Sequence, residues 1–501
     1  MKLIFLFIFI FLFNSSEEAK IRWAFELFRH GARSPYGGMT SDFKDCFGAQ
    51  WNGLKELTGV GLRQHFLVGH RNRIRYINEH KLLSENYDPR EVYLISTDSN
   101  RTIMSANAQV QGLYPPGTGP QLFANQSEVA IPPVEASSYQ KAKEDLDKDG
   151  YAVLPNRINI IPVHSFFNDD HFIQLQDKRV CPNNKEHYKQ NEERKEVTDF
   201  LAAMDAKYGE KLYQILYNKD EKDKNPLKNY GKAYYIFDTV ITQYTEGYDK
   251  FEEVAHNLNV TQEELLKDAF DFFFLDLVGN GIDNDKDICI HAMSPIIDRI
   301  IQLMKAKIKK DQDKEENYIG YDLPKFVMFS AHDSTCGAFI GYMKAVFGAE
   351  GRYPYFATNI NLELIREDKE GGNYTEDDYK VEYLVNDESL GVYDYKYFVQ
   401  KAKENFKSKE DLTKFCGWKE KDDEDDKKDD DKKDDKKEEG DNSRNTVFII
   451  VNIVLGIICF VLIGLIVVTI LMKKSKEDMN NIESIEKLNN MSGENEDNEA
   501  S

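Results

Sequence analysis

The most informative segment for chemistry is a short loop that follows an apolar run. Residues 23–28 lead directly into Arg29, His30, Gly31 and Arg33. The two guanidinium groups match phosphate oxygens in pairs and stay charged at any physiological pH. His30 lies between two permanent cations, which disfavour its protonation and leave a neutral imidazole nitrogen free to attack. The residue types therefore predict phosphate binding beside a nucleophilic histidine.

The position of this loop suits an active site. Open α/β sheets bind ligands in the crevice beyond the carboxyl ends of their strands, and residues 23–28 read as such a strand. Gly31 lets the backbone approach a ligand closely, and Pro35 keeps the turn from continuing into a helix interior. Alone, an Arg-His-Gly triplet is more often a surface turn, so the prediction depends on the rest of the chain.

Two further apolar segments end in charged residues. Residues 91–95 read as a strand that leads to Arg101, and a helix is expected to open at residues 103–106. Residues 325–330 read as another strand, closed by His332 and Asp333. Alone, this His-Asp pair is consistent with metal ligands, with a helix N-cap, or with a general acid beside a phosphate ligand.

Together, the three strand ends bring three arginines, two histidines and one aspartate to one predicted crevice. This set contains too few carboxylates for a magnesium or two-metal phosphatase, so we expect no metal and no cofactor. It suits a phosphoryl group that is bound by cations and attacked by His30, while Asp333 protonates the leaving oxygen. The phosphate-binding residues are then Arg29, Arg33, Arg101 and His332.

These segments resemble the histidine acid phosphatases. Residues 29–35 are similar to the RHGxRxP signature of that family, and residues 330–333 to its distal His-Asp element. Residues 96–106 and 112–116 resemble the segment that carries the third phosphate-binding arginine, and residues 161–164 are also similar to a family stretch. The resemblance runs in order from about Arg22 to Trp418.

The resemblance implies a phosphomonoesterase that works without a metal, through a phosphohistidine on His30 and with Asp333 as proton donor. It implies an α/β fold with a mixed, mostly parallel central sheet flanked by helices. It also implies a helical cap at about residues 166–306, and helical spacing of apolar residues at 197–204 and 270–277 favours such a lobe. Cys181 and Cys416 match a family disulfide, whereas Cys46, Cys289 and Cys336 have no assigned partner.

The ends of the chain predict a single-pass type I membrane protein. Residues 1–19 have the basic start, short apolar core and small-residue exit of a signal peptide. Residues 447–472 form an uncharged stretch long enough to span a bilayer as one transmembrane helix, and lysines follow it at once. The predicted ectodomain, residues 20–418, is then lumenal or extracellular, with the tail 473–501 in the cytoplasm. The charged segment 419–446 reads as a solvated stalk, although a helical spacer or a cation-binding tract is also possible.

The charge of the whole chain, −22, argues against a nucleic-acid partner, because such proteins carry a basic stripe. Glycan acceptor sequences occur at Asn125, Asn259 and Asn373. A fourth acceptor at Asn100 lies next to Arg101, and we expect it to be too enclosed for a glycan. His65 is expected to be a surface or packing residue.

The leading functional hypothesis is a membrane-anchored acid phosphatase of the lysosome or cell surface that acts on small phosphomonoesters. One alternative is an inositol-polyphosphate or lysophospholipid phosphatase of the same fold. Another is a non-catalytic, membrane-tethered binding protein on the same scaffold, which would be marked by loss of a catalytic residue. His30, Asp333 and the three arginines are all present.

Overall fold

The computed structural model describes residues 19–48, 53–165, 180–218, 225–277, 284–315, 317–369 and 371–418. The predicted stalk, transmembrane helix and cytoplasmic tail, and nearly all of the predicted signal peptide, lie outside these ranges. Within them, no helix is both long enough and apolar enough to cross a bilayer.

The described residues form one seven-stranded sheet with the strand order β3-β2-β4-β1-β5-β6-β7. The strands are β1 (Lys20–Arg29), β2 (Val92–Ser96), β3 (His164–Ser165), β4 (Phe326–Ala331), β5 (Asn359–Arg366), β6 (Tyr379–Val385) and β7 (Glu388–Asp394). Strands β3, β2, β4 and β1 are mutually parallel, whereas β5, β6 and β7 join by antiparallel pairing. Five of the seven strands thus point in one direction, as the mixed, mostly parallel sheet of the sequence analysis predicts.

The helices flank this sheet and fill the connections between strands. Within the described residues they are α1 (Ser41–Asp45), α2 (Gly59–Asn72), α3 (Asn100–Leu113), α4 (Ala124–Ser127), α5 (Gln140–Lys148), α6 (Asn184–Glu192), α7 (Lys195–Lys207), α8 (Gly209–Tyr217), α9 (Tyr230–Thr245), α10 (Phe251–Asn257), α11 (Gln262–Leu277), α12 (Asn284–Gln312), α13 (Asp333–Phe347), α14 (Tyr395–Asn405) and α15 (Lys409–Cys416).

Strand β1 is buried on both faces, which explains its nearly continuous apolar sequence. Trp23, Phe25 and Leu27 belong to a buried cluster with residues of α12, α13 and α14. Ala24 and Phe28 point to the other face, where they share a cluster with residues of α3. Since side chains alternate along a strand, β1 carries helices on both sides and fixes the position of the loop after it.

The carboxyl ends of three parallel strands meet at one edge of the sheet. In the β1–β4 register Arg29 lies opposite Ala331, and in the β2–β4 register Ser96 lies opposite Ser330. The next residues of all three strands therefore enter the same space. These are the three charged strand ends that the sequence analysis identified.

The helices between β3 and β4 form a second buried cluster, contributed chiefly by α7, α8, α9, α10 and α11. Helix α12 instead buries its apolar face against the sheet. A helical lobe is thus present in this part of the chain. The predicted cap boundaries of 166 and 306 stay a prediction. The range between them also includes most of α12, which packs with the sheet rather than with the helical lobe.

A disulfide joins Cys181 to Cys416 at the end of α15, the pairing that the family resemblance implies. Nearby, the indole of Trp418 donates a hydrogen bond to the Val180 carbonyl at 2.8 Å. Among the described cysteines, Cys46 is exposed and unpaired, and Cys289 and Cys336 are buried without a disulfide.

Candidate functional site

His30 is the first residue after β1, and only 1% of it is exposed. Its Nδ1 lies 2.9 Å from the carbonyl oxygen of Gly31. A carbonyl only accepts hydrogen bonds, so Nδ1 of the neutral ring must carry the hydrogen. This leaves the lone pair of His30 on Nε2, the nitrogen available for nucleophilic attack.

Close backbone packing holds this loop in place. A Cβ on Gly31 would overlap the carbonyl oxygen of Gly61, and a Cβ on Gly61 would overlap that of Ala32. The loop therefore lies directly against the first turn of α2, where only glycine fits on both sides. The Gly31 amide also donates to Ser105 of α3 at 3.0 Å, so two helices fix the loop.

Arg29 is buried and has partners on two sides. Its Nη2 binds Asp333 Oδ2 at 2.7 Å, and its Nη1 donates to the Pro354 carbonyl at 2.8 Å and to the Tyr353 hydroxyl at 3.1 Å. The guanidinium carbon lies 4.2 Å from the centroid of the Phe356 ring, within range of a cation–π contact. The 353–358 segment before β5 therefore supports Arg29, although nothing in its sequence indicated this.

Arg33 is paired with a carboxylate of the helical lobe. Its Nη2 and Nη1 lie 2.7 Å and 3.2 Å from the two oxygens of Asp238 on α9, and the Tyr36 amide donates to Asp238 Oδ2 at 2.7 Å. Burial lowers the pKa of Arg33, but the Asp238 carboxylate more than reverses this, so the guanidinium stays charged. Sequence reasoning missed Asp238. The available signal was one charged residue within the buried stretch of α9 from Ile236 to Ile241.

Arg101, in the first turn of α3 after β2, and His332, directly after β4, reach the same space. Arg101 Nη2 lies 3.2 Å from His332 Nδ1, which must accept because a guanidinium only donates. His332 Nε2 then donates to the Thr97 hydroxyl at 2.9 Å. The His332 ring centroid lies 5.7 Å from that of His30. In this arrangement His332 orients Arg101 beside His30.

Asp333 is the first residue of α13, and its two oxygens have different partners. Oδ2 binds Arg29, whereas Oδ1 accepts a hydrogen bond from the Ser334 amide at 2.9 Å. The sequence left three interpretations open for the His-Asp pair. His332 is the N-cap residue of α13 but makes no side-chain capping hydrogen bond, and Asp333 places a carboxyl group beside the guanidinium of Arg29.

The three arginines share one further property. Each has a buried Nε with no hydrogen-bond partner among the described residues. Buried donors without partners are rare in proteins, and a site with several of them suits an anionic ligand. Three guanidinium charges against the carboxylates of Asp238 and Asp333 also leave one net positive charge.

This environment keeps His30 neutral. Burial lowers its pKa well below the usual value of 6.5, and the charges of Arg101, Arg29 and Arg33 lower it further. For Asp333, burial raises the pKa, but the charges of Arg29 and Arg33 outweigh burial and the net shift is downward. The structure thus brings together all six residues that the sequence selected.

The remaining predicted sites lie at the surface. Asn125, Asn259 and Asn373 are exposed, as glycan acceptors must be, and their glycosylation stays a prediction. The expectation that Asn100 is enclosed was wrong, because its side chain is exposed at the start of α3 while the neighbouring Arg101 turns toward the site. Among the described residues, no group of three or more His, Cys, Asp and Glu side chains is arranged to hold a metal ion.

A family model described as the histidine phosphatase superfamily (branch 2) matches residues 20–386. The chain belongs to this family. This histidine phosphatase is 27% identical to a lysosomal acid phosphatase of Xenopus laevis over 365 residues, which cover 72% of this chain and 69% of the relative. It is 25% identical over 378 residues to a putative acid phosphatase of Caenorhabditis elegans, covering 72% and 78% of the two chains. A 118-residue segment is 38% identical to human prostatic acid phosphatase, covering 23% and 29%.

The contact between Arg33 and Asp238 gives a first prediction. In Asp238→Asn, Arg33 loses its two-point charged partner, so we expect kcat/KM for p-nitrophenyl phosphate to fall about 10- to 100-fold through misplacement of the guanidinium. Asp249→Asn, at an exposed position just beyond α9, is the matched control and should leave kcat/KM unchanged. Asp238→Glu keeps the charge and should retain more activity than Asp238→Asn. A folded Asp238→Asn enzyme with kcat/KM within about twofold of wild type would contradict this role.

Proposed function

We propose that this histidine phosphatase is an acid phosphatase that hydrolyses small phosphate monoesters through a phosphohistidine on His30. The main support is the group of three arginines beside a neutral imidazole, each with a buried Nε that has no hydrogen-bond partner among the described residues. An anion would supply the missing hydrogen-bond acceptors. In this proposal Arg29, Arg33 and Arg101 bind the phosphoryl oxygens, and His332, which already holds Arg101, completes the binding set.

In the first step, His30 Nε2 attacks phosphorus, and the bond between phosphorus and the ester oxygen breaks. Asp333 donates its proton to that oxygen, so the alcohol leaves neutral and Asp333 becomes a carboxylate. The Gly31 carbonyl accepts the Nδ1 hydrogen of His30 and stabilises the positive charge that develops on the ring. The guanidinium groups stabilise the charge on the equatorial phosphoryl oxygens.

In the second step, a water molecule attacks phosphorus of the phosphohistidine. The Asp333 carboxylate takes a proton from this water, and the bond between phosphorus and Nε2 breaks. Inorganic phosphate leaves, His30 regains its lone pair, and Asp333 is again protonated for the next cycle. Both steps are completed by residues of the chain together with substrate and water.

The electrostatics favour activity at acid pH. Because the pKa of His30 is shifted well below 6.5, the nucleophile stays neutral in acid, where an ordinary histidine would be protonated. Asp333 must be protonated in the first step, and its pKa is lowered chiefly by Arg29 despite burial. When the substrate engages Arg29, part of that charge is balanced and the pKa of Asp333 rises. Activity should then increase as pH falls toward the acid range.

The names of the relatives and the ends of the sequence support a location in the secretory pathway. Relatives of this chain include lysosomal acid phosphatases of Xenopus laevis and human. We therefore include in the proposal a signal peptide at residues 1–19, a lumenal or extracellular catalytic domain, a stalk at 419–446 and a single membrane span at 447–472.

For the nucleophile, we expect His30→Ala to lose p-nitrophenyl phosphate hydrolysis at acid pH by at least about 10³-fold, because attack at phosphorus needs the imidazole. Wild-type activity should be unaffected by EDTA. Quenched samples of the wild type, but not of the variant, should contain phosphate bound to the protein through an acid-labile bond. Activity that persists in His30→Ala, or that depends on an added metal ion, would reject the mechanism.

For the proton donor, we expect Asp333→Asn to reduce kcat more for alkyl phosphates than for p-nitrophenyl phosphate. A basic alkoxide needs a proton as it leaves, whereas p-nitrophenolate leaves without one. The comparison uses the same variant with a series of leaving groups, so any general damage to the site cancels. Equal losses across the series would argue against Asp333 as the acid.

The proposed topology is tested by comparing the full chain with a chain that ends at Trp418. The full chain should stay with membranes after alkaline carbonate washing, because residues 447–472 are apolar enough to span a bilayer. The shortened chain should be secreted as an active, soluble enzyme. A full chain that is released by the wash would contradict the membrane anchor.

A further inference from the structure

Behind the candidate active site, strand β1 carries a carboxyl group that the mechanism does not use. Glu26 is fully buried, with 0% of the residue exposed. Its hydrogen-bond donors within the described part of the chain are neutral amides: Asn72 Nδ2 at 2.8 Å, Gln109 Nε2 at 2.7 Å and Asn359 Nδ2 at 3.4 Å. Burying an ionised carboxylate costs free energy, and no cation among the described residues is hydrogen-bonded to Glu26.

A line of hydrogen bonds leads from Glu26 to residues 29–33, the loop that carries His30 and is the catalytic loop of the proposed function. The other end of the Gln109 amide, Oε1, lies 2.9 Å from His65 Nδ1. His65 Nε2 lies 3.0 Å from the carbonyl oxygen of Arg29, in the peptide bond that joins Arg29 to His30. His65 is itself fully buried, and the Phe28 ring packs against it with centroids 5.2 Å apart.

When Gln109 Oε1 faces His65 Nδ1, a neutral His65 cannot supply the hydrogens that these two hydrogen bonds need. Both ring nitrogens face oxygen acceptors, so both would have to carry a hydrogen and the ring would be a cation. Burial, however, lowers the pKa of His65 to about 4, because the charged form loses its hydration. A neutral ring can donate from only one nitrogen.

Rotating the Gln109 amide by 180° removes this conflict without moving any heavy atom far. The amide nitrogen then donates to His65 Nδ1, and His65 Nε2–H donates to the Arg29 carbonyl. The amide oxygen now faces Glu26, which must be protonated to donate to it. With one proton on Glu26, each hydrogen bond along the line from Glu26 through Gln109 and His65 to the Arg29 carbonyl has one donor and one acceptor.

We propose that His65 is a positioning residue for the Arg29–His30 peptide, and that Glu26 selects, through Gln109, which nitrogen of His65 carries the hydrogen. When Glu26 ionises, the Gln109 amide nitrogen turns to the carboxylate and its oxygen accepts from His65 Nδ1–H. The bare Nε2 then faces the Arg29 carbonyl, and that hydrogen bond is lost. The inference rests on the proposed function only in that this peptide belongs to the catalytic loop.

The ionisation of Glu26 falls in the pH range where an acid phosphatase would lose activity. Burial raises the pKa of Glu26 to about 7, against the charge of Arg71 and the three amide hydrogen bonds, which lower it. Arg71, at the end of α2, is also paired with Asp387. On the β5 side, the nearby Glu363 is held by Arg75 and by the Tyr76 hydroxyl at 2.8 Å.

The direct test is the tautomer of His65, read from the ¹⁵N shifts of its ring nitrogens in histidine-labelled ectodomain between about pH 5 and 9. His65→Asn assigns the signals. We expect the Nε2–H tautomer at the acid end and the Nδ1–H tautomer at the alkaline end, with a midpoint near the Glu26 pKa of about 7. An imidazolium at pH 5, or a single tautomer across the range, would overturn the proposal.

Three variants test whether the tautomer change of His65 depends on Glu26 and on Gln109. Glu26→Gln removes the titrating group, and Gln109→Met removes the link, so each should leave His65 in one tautomer at every pH. Glu246→Gln is the matched control, because burial also raises the pKa of Glu246 to about 7, but its partner is Thr58 rather than Gln109. His65 should change tautomer in this control as in wild type. A tautomer change that survives in Gln109→Met would exclude the relay.

The functional consequence is measured with inorganic phosphate as the probe. The ratio of Kd for wild type to Kd for Glu26→Gln cancels the ionisation of phosphate itself. We expect this ratio to rise about 2- to 10-fold from pH 5 to 9, the effect of losing one neutral hydrogen bond to the loop. A constant ratio would contradict the positioning role. The tautomer measurement needs no turnover, so it stands or fails independently of the phosphohistidine mechanism.

Discussion

Three guanidinium groups share a buried space beside His30, and their mutual repulsion is the constraint on which the rest of the site depends. Each group is stabilised in a different way. Arg29 contacts the Asp333 carboxylate, the Pro354 carbonyl and the Phe356 ring. Arg33 binds both oxygens of Asp238, and Arg101 donates a hydrogen bond to His332. The balance still leaves a net positive charge and unpartnered Nε donors. A phosphate dianion fits such a site because it supplies both negative charge and acceptors.

The same repulsion between guanidinium groups explains why the sheet and the helical lobe must both contribute side chains to the site. The parallel strands bring Arg29, Arg101 and His332 to one edge of the sheet, but they provide no partner for Arg33. That partner is Asp238, on a helix of the lobe that lies 205 residues further along the chain. The lobe therefore supports the candidate site by holding the Arg33 side chain in place. An ion pair so deeply buried also ties the loop to α9, since separating the two charges would be costly.

Much of this arrangement could be predicted from sequence, because the chemistry is local to strand ends. The strands around residues 23–28, 91–95 and 325–330 are apolar runs that end in charge, and parallel strands align such ends by geometry. The partners could not be predicted, since they depend on tertiary packing. Asp238 and the 353–358 segment carry no motif, and the side chain of Asn100 points to solvent because of its place on the first turn of α3. The sequence predicts only a surface or packing role for His65, because its bond to the Arg29 carbonyl depends on how α2 packs against the loop after β1.

The link between Cys181 and Cys416 has a further consequence for the integrity of the molecule. It closes a segment of 235 residues that contains Asp238, His332 and Asp333, whereas His30 and all three arginines precede it. A protease that cut once within the surface of the lobe would therefore produce two polypeptides still joined by a covalent bond. Such a nicked, two-chain form would keep His30, the three arginines, His332 and Asp333 in one covalently linked molecule.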